Sequence, residues 1–382
     1  MNSAKILKLL DDEIDPITTN TNVMFSQKSR QFLKKIFEGL SKYKPGNVTP
    51  ISIPNLSKSL QYANVPPSIQ REIRNSTMKG FFSMFSISYK HVGVYIYAVN
   101  LDKTEARKMI QRIREWLCLA YQWAPEKCSQ QLTIYIYLTD AQKVLPKKGE
   151  NIEQTHANTA FTTSCAKQTE ITIYRKEEWF KVFIHETFHC LGLDFSQMDN
   201  KETKDIMLSM FPVKSEVNLS ETYCEVWAEL INVMLILHRY IENFDDLINK
   251  TCFLMRYENM FSMFQCAKVL EFFDLPYEKL IEKKETEKYK EQTNVLSYYI
   301  IKTVLISNLN SFIEWCSTNN GVGGLCFSNN KKALVKYCEL IRKHYKNPGL
   351  VSNIQKSYTW IKTNKKKSLQ YELSTLRMSL IE

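Results

Sequence analysis

The sequence predicts an α+β protein that is predominantly helical, with a small mixed sheet packed on one buried helix and a helical C-terminal half. Three observations carry this. Strand-like runs rich in β-branched and aromatic residues are confined to positions 81–174. The apolar stretch Val182–Gly192 then encloses a polar triplet at helical spacing. Beyond Leu219 the apolar residues recur with a helical period and no strand pattern returns.

Taken in order, Lys5–Leu10 and Gln27–Leu40 read as helices, with Leu33, Phe37 and Leu40 sharing a face that would dock on the body. Pro66-Pro67 is a break, followed by a short basic helix over Ser68–Asn75. Ser86–Lys90 and Val92–Val99 read as strands. Lys103–Trp123 is a helix, with Ile110, Ile113, Trp116, Leu117 and Ala120 at helical intervals. Gln131–Thr139 and Glu170–Tyr174 complete the sheet, and Glu177–Leu191 is the helix it covers. Ser196–Ser215 reads as a polar connection. Helices follow over Leu219–Leu247, Cys252–Phe273, Pro276–Glu282 and Val295–Cys316. Lys283–Asn294 is a charged, solvated stretch, and Gly321-Val-Gly323-Gly324 is a turn that follows no strand and so signals no phosphate loop. Residues 1–75 therefore form a helical N-terminal segment, 76–250 a central domain, and 251–382 a helical region that is basic towards its end.

Composition narrows the classes of function. With 382 residues, 44% of them hydrophobic, the chain can bury a large core and is not disordered. The start, Met1–Asp11, lacks the pattern of a secretory leader, and the longest apolar run, Leu230–Leu237, is too short to cross a bilayer. A cytoplasmic location and ten free thiols are the corresponding expectations, since the ten cysteines form no Cys-x-x-Cys pair. The net charge of +11 is concentrated at 330–367, where ten lysines and one arginine face the single acid Glu339. Such a surface suits nucleic acid or another acidic partner, although a plain solvated helix face with core aromatics is the simpler account.

The chemistry is concentrated in His185-Glu186-Thr-Phe-His189. Residues four apart stand one above the other on a helix, so two imidazoles can hold one ion, with Glu186 placed to take a proton from a water on it. Gly192 can end the helix one turn later as a left-handed cap. A third ligand is required. Phe195 stands where a third histidine would extend the motif, and Asp194 and Asp199 are nearby oxygen donors. A stronger source is Asn218-Leu-Ser-Glu221-Thr-Tyr-Cys-Glu225-Val-Trp-Ala-Glu229, in which a helix starts at a capping-box spacing and then carries three glutamates along one stripe. Buried carboxylates are costly unless a cation faces them. The stripe alone leaves Glu221, Glu225 and Glu229 open.

His-Glu-x-x-His followed by Glu225-Val-Trp-Ala-Glu229 resembles the gluzincin metallopeptidases, most closely those of the lethal-factor type. The resemblance implies Zn²⁺ bound by His185, His189 and Glu225, with Glu229 as an outer carboxylate orienting a ligating histidine and Glu221 as the rival ligand. It implies hydrolysis of a polypeptide substrate, with Glu186 as general base. The tyrosine that this type carries seven residues before the ligand is replaced by Asn218, so the resemblance names no transition-state stabiliser. Tyr223 falls on the opposite helix face. Gluzincins also place an exposed edge strand ahead of the zinc helix, and Asn158-Thr-Ala160-Phe161 resembles it, which implies a substrate cleft along Asn158, Ala160 and Phe161. His156 reads as a surface residue. The runs Tyr174–Trp179, Glu225–Glu229 and Leu376–Leu380 resemble uncharacterised metallopeptidase-like proteins of large cytoplasmic DNA viruses, which implies a viral source. The competing expectation is a non-catalytic helical binding module with a basic C-terminal surface and a vestigial metal site.

Overall fold

The computed structural model describes residues 2–42, 50–52, 65–321, 324–364 and 366–382. Its sheet runs in the order β1 (Lys79–Ile87), β2 (Lys90–Ala98), β3 (Gln131–Tyr137), β5 (Gln168–Ile173), β4 (Ala160–Thr162). The three central strands β2, β3 and β5 are parallel, and β1 and β4 close the two edges antiparallel. A parallel pair needs a crossover, and α4 (Lys103–Ala120) supplies it between β2 and β3. Asp102 caps that helix, accepting from the amides of Thr104 and Glu105.

Side-chain alternation gives the sheet two different faces. Val92, Val94, Ile96, Ile134, Ile136, Ile171 and Ile173 are fully buried towards the main core. The opposite face carries a tyrosine ladder, with Tyr95 stacked on Tyr135 at 5.1 Å and Tyr97 on Tyr137 at 5.0 Å, covered by Ile69 and Ile73 of α3 (Pro67–Asn75). The main core runs without a break from Ile6 in α1 (Asn2–Leu9), through Leu33 and Leu40 of α2 (Gln27–Ser41), to Leu380, so buried residues from all three expected segments pack together.

Against the main face lies α6 (Trp179–Cys190), in which every residue from Phe180 to Cys190 is buried. Its end follows from Gly192 at φ +66°. The Gly192 amide donates to the His189 carbonyl and the Leu193 amide to the Phe188 carbonyl, the paired bonds of a Schellman cap. A side chain at Gly192 would also strike Cys128 and Cys165. These two cysteines form a disulfide, which corrects the expectation of ten free thiols; the other eight are free. The cause is spatial, because the Cys165 amide donates to His189 and so brings a cysteine 37 positions away against Cys128.

The C-terminal half is helical, with several boundaries displaced. Residues Lys201–Met210 of the expected polar connection form α7. The expected 219–247 helix is two: α8 (Leu219–His238) and the 29-residue α9 (Phe244–Phe272), because the Asn243 side chain accepts from the Asp245 and Asp246 amides and starts a new helix. After α10 (Tyr277–Ile281), the expected 295–316 helix is a π-helical segment, Leu296–Ile301, then α11 (Lys302–Ile306) and α12 (Leu309–Asn319). The expected glycine turn lies partly outside the described residues. In α13 (Lys331–His344) and α14 (Pro348–Thr363), Tyr337 and Tyr358 belong to the core while the described lysines are exposed. Beyond α15 (Gln370–Ser374) the chain turns back in, and Leu376, Met378 and Leu380 are buried.

Candidate metal centre

Helix α6 is buried on every side, so each of its ionisable groups must find a partner or stay costly. Its neighbour α8 runs antiparallel to it: Glu221 meets His185 and His189, Glu225 meets His185 and Lys181, and Glu229 lies beyond, on Lys302. The glutamate stripe expected from sequence does face α6. Its register, which spacing alone could not fix, places Glu221 and not Glu225 opposite the histidine pair.

Three donor atoms converge there. His185 Nε2 and His189 Nε2 are 3.2 Å apart, and Glu221 Oε2 lies 3.0 Å from the first and 3.5 Å from the second. The other ring nitrogens are engaged from behind. His189 Nδ1 sits 2.7 Å from Asp194 Oδ2, and His185 Nδ1 sits 2.9 Å from Glu225 Oε1, a contact bent off the line of a hydrogen bond. The tautomer that places the His189 proton on Nδ1 against Asp194, and the His185 proton on Nδ1 beside Glu225, leaves both Nε2 lone pairs in the same small space beside a third anion. Only a cation or extra protons make that arrangement stable. Edges of 3.0 to 3.5 Å are those of a tetrahedron whose centre lies about 2.0 Å from each atom, the length of zinc–imidazole and zinc–carboxylate bonds. The donor set therefore fits a zinc ion with three protein ligands and one position free.

Two site expectations need correction. Glu225 is not in the converging set: it receives Lys181 Nζ at 2.8 and 3.1 Å and backs His185, which makes it an outer carboxylate. Glu229 touches no histidine; it pairs with Lys302, whose Nζ also donates to the Met378 carbonyl. The spatial relation that the resemblance implied, one carboxylate at the histidine pair and a second behind a ring, occurs one helical turn earlier. Glu221 is drawn away from a simple capping role, and Asn218 caps α8 through the Ser220 amide. Asp199 is spent on the Lys201 amide, and Tyr223 donates to the Leu325 carbonyl, remote from the centre. His156 closes the one-turn α5 (Gln154–Ala157) by accepting from the Glu153 amide.

Glu186 projects beside the convergence. Among the described residues it accepts no hydrogen bond, and burial raises its carboxyl above the usual range despite His185 and His189 nearby. It borders a cavity of about 30 Å³ with His185, Asn158, Ala160, Tyr298 and Met378. That space holds one or two waters. Asn158 and Ala160 thus lie where the cleft was expected, with Ala160 starting the edge strand β4. Phe161 does not: it alternates to the other face of the sheet and packs on the tyrosine cluster. Sequence reasoning also missed Tyr298, whose hydroxyl donates to Glu221 Oε2 at 2.8 Å from the π-helical segment. Nothing in its local sequence marks it.

In the metal-free state the electrostatics are those of charge crowding. Burial would lower His185, but Glu225 and Glu221 reverse this and lift it to about 9. His189 is lifted likewise by Cys224, Glu221 and Asp194 against the burial that opposes it. Burial opposes the ionisation of Glu221, yet the two imidazoles hold its carboxyl well below the ordinary range.

No protein-family model, no curated protein and no solved structure matches this chain. No described helix is long and apolar enough to cross a membrane.

Proposed function

We propose that this chain is a zinc-dependent peptidase in which His185, His189 and Glu221 hold the metal and Glu186 is the general base. The observation that supports it most is the pairing of a three-donor convergence with a neighbouring buried carboxylate that accepts no hydrogen bond among the described residues. A closed structural site uses four protein ligands, usually with cysteines, and has no use for such a carboxylate. When bound there, zinc supplies acidity to a water and polarises a carbonyl.

The remaining work falls to the chain. Glu186, kept from other partners and raised in pKa by burial, takes a proton from a water in the adjoining space and returns it to the leaving nitrogen. Tyr298 fixes Glu221 through its hydroxyl, while Glu225 and Asp194 set the planes of the two imidazoles. The exposed side of β4 offers main-chain groups that an extended peptide could pair with. The cavity beside Glu186 admits water but not a peptide, so substrate entry requires the wall at residues 157–160 and Met378 to open.

That closure favours a second reading, a metal that only stabilises a binding module with a basic C-terminal surface. A peptide library incubated with zinc-loaded protein separates the two. Under the peptidase reading, chelator abolishes cleavage, and Glu186→Gln lowers it by roughly a thousandfold while metal content stays at the wild-type level. Absence of cleavage by the zinc-loaded wild type, or full activity of Glu186→Gln, rejects the peptidase.

A further inference from the structure

The last turn of α6 is completed by two loops that one disulfide joins. A helix leaves its final carbonyls without partners of its own. Those of Thr187, Phe188 and His189 accept from the Leu191, Leu193 and Gly192 amides of the cap. Two further donors come from outside. The Cys165 amide reaches the His189 carbonyl at 3.1 Å, and the Ser129 hydroxyl reaches the Cys190 carbonyl at 2.7 Å. One donor belongs to a cysteine of the Cys128–Cys165 bridge and the other to the residue next to its partner. The loops also hold each other, the Ser129 amide donating to the Ala166 carbonyl at 2.7 Å, and the Gln197 side chain donates to the Cys165 carbonyl.

The sulfurs press on the cap itself. A Cβ on Gly192 would lie 2.9 Å from Cys128 Sγ and 3.4 Å from Cys165 Sγ, so a shift of either sulfur is felt at the turn that carries His189. The bridge is also reachable. Cys128 is fully buried, but Cys165 is only partly so, and Thr163, Ser164, Ala166 and Lys167 around it are exposed. Thiol–disulfide exchange needs access to one sulfur. The other eight cysteines are free, so this bridge is not one strut of a disulfide framework.

We propose that the Cys128–Cys165 bridge is a clamp on the end of α6 that a dithiol reductant opens, and that its opening loosens His189. The thiolate of the reductant attacks Cys165 Sγ and breaks the S–S bond, and Cys128 leaves as a thiolate and takes up a proton. The second thiol of the reductant then attacks its own sulfur in the mixed disulfide and releases Cys165, which is protonated in turn. Two electrons and two protons pass to the cysteines, and the reductant departs as a cyclic disulfide. The 163–168 loop is then held by hydrogen bonds alone and gives up the His189 carbonyl. As a control over metal binding the clamp rests on the metal reading above; as a device of the fold it does not.

Hydrogen exchange on the metal-free full chain, with and without dithiothreitol, tests the clamp. The expected result is reduction of the bridge and exchange roughly tenfold faster at 163–168 and 189–193 at short labelling times, with β3 and α9 unchanged. The double variant Cys128→Ala, Cys165→Ala should exchange like the reduced wild type and ignore the reductant. A bridge that resists millimolar dithiothreitol overturns the proposal. So does unchanged exchange at 189–193, or a rise shared equally by β3 and α9, which would mark a staple of the whole fold. Zinc competition on the oxidised wild type and the double variant, both free of reductant, reads control of the metal, and the variant should bind roughly tenfold more weakly. Equal affinities overturn that control. An oxidised protein that binds no zinc rejects the metal reading itself, and exchange at 189–193 still decides the clamp.

Discussion

The two ends of helix α6 are equally buried and equally rich in ionisable groups, but they treat charge in opposite ways. At the N-terminal end, Glu178 meets Lys143 and Lys181, and it also accepts from the Met378 and Ser379 amides of the returning C-terminal tail. Lys181 passes the alternation on to Glu225. Every charge there has a counter-charge. One turn further on, Glu225 backs His185, and the alternation ends in two facing imidazole nitrogens, Glu221, and Glu186, which accepts no hydrogen bond among the described residues. A buried ladder that neutralises itself is architecture. Its unbalanced last rung is where the proposed ion and reacting water would sit, and the contrast teaches that burial alone does not distinguish a self-neutralised charge from an unbalanced one.

The contrast breaks most severely at the balanced end. Lys181→Met leaves Glu225 and Glu178 each short of a cation inside the core, and it should cost about 3–5 kcal/mol of stability in denaturant unfolding. A loss within experimental error would mean that these charges are neutralised some other way.

The next largest effect sharpens the register of α8. Glu221→Gln, at the proposed ligand, should weaken zinc by more than roughly a hundredfold, whereas Glu225→Gln, at the proposed supporting carboxylate, should cost about 10- to 100-fold. Competition with a chromogenic chelator reads both, and the reverse ranking would return Glu225 to the ligand position.

A smaller effect comes from pH in the metal-free protein. His185 titrates near 6.5 when unfolded and at about 9 when folded. Its raised pKa contributes stability that is present in full below pH 6.5 and lost as pH rises through about 9, on the order of a few kcal/mol. Zinc should show the opposite trend, binding more tightly with rising pH because the imidazoles must shed their protons. Melting curves with and without zinc across this range should therefore diverge towards high pH. Parallel curves would contradict the shared site.

Much of this arrangement was legible in the sequence, because it rests on period and local chemistry. The strand runs, the buried α6, its glycine cap and the glutamate stripe of α8 all follow from residue spacing. Which glutamate faces the histidines did not, since a shift of one turn between two packed helices preserves every spacing. Asp194 reaches His189 only because the Schellman cap turns the chain back, and Tyr298 arrives from a segment 77 positions beyond Glu221. The inward return of the C-terminal tail is likewise invisible locally: its amides are bound by Glu178 and Glu258, neither of which is near it in sequence. Phe161 was misplaced for a simpler reason, since alternate residues of a strand face opposite ways.

The identity of the three proposed ligands is read by anomalous diffraction at the zinc edge from crystals of the zinc-loaded protein. One peak is expected within bonding distance of His185 Nε2, His189 Nε2 and a Glu221 oxygen, with Glu225 outside that distance and on Lys181. No peak at that position, or a peak bound by Glu225 with Glu221 turned away, would contradict it.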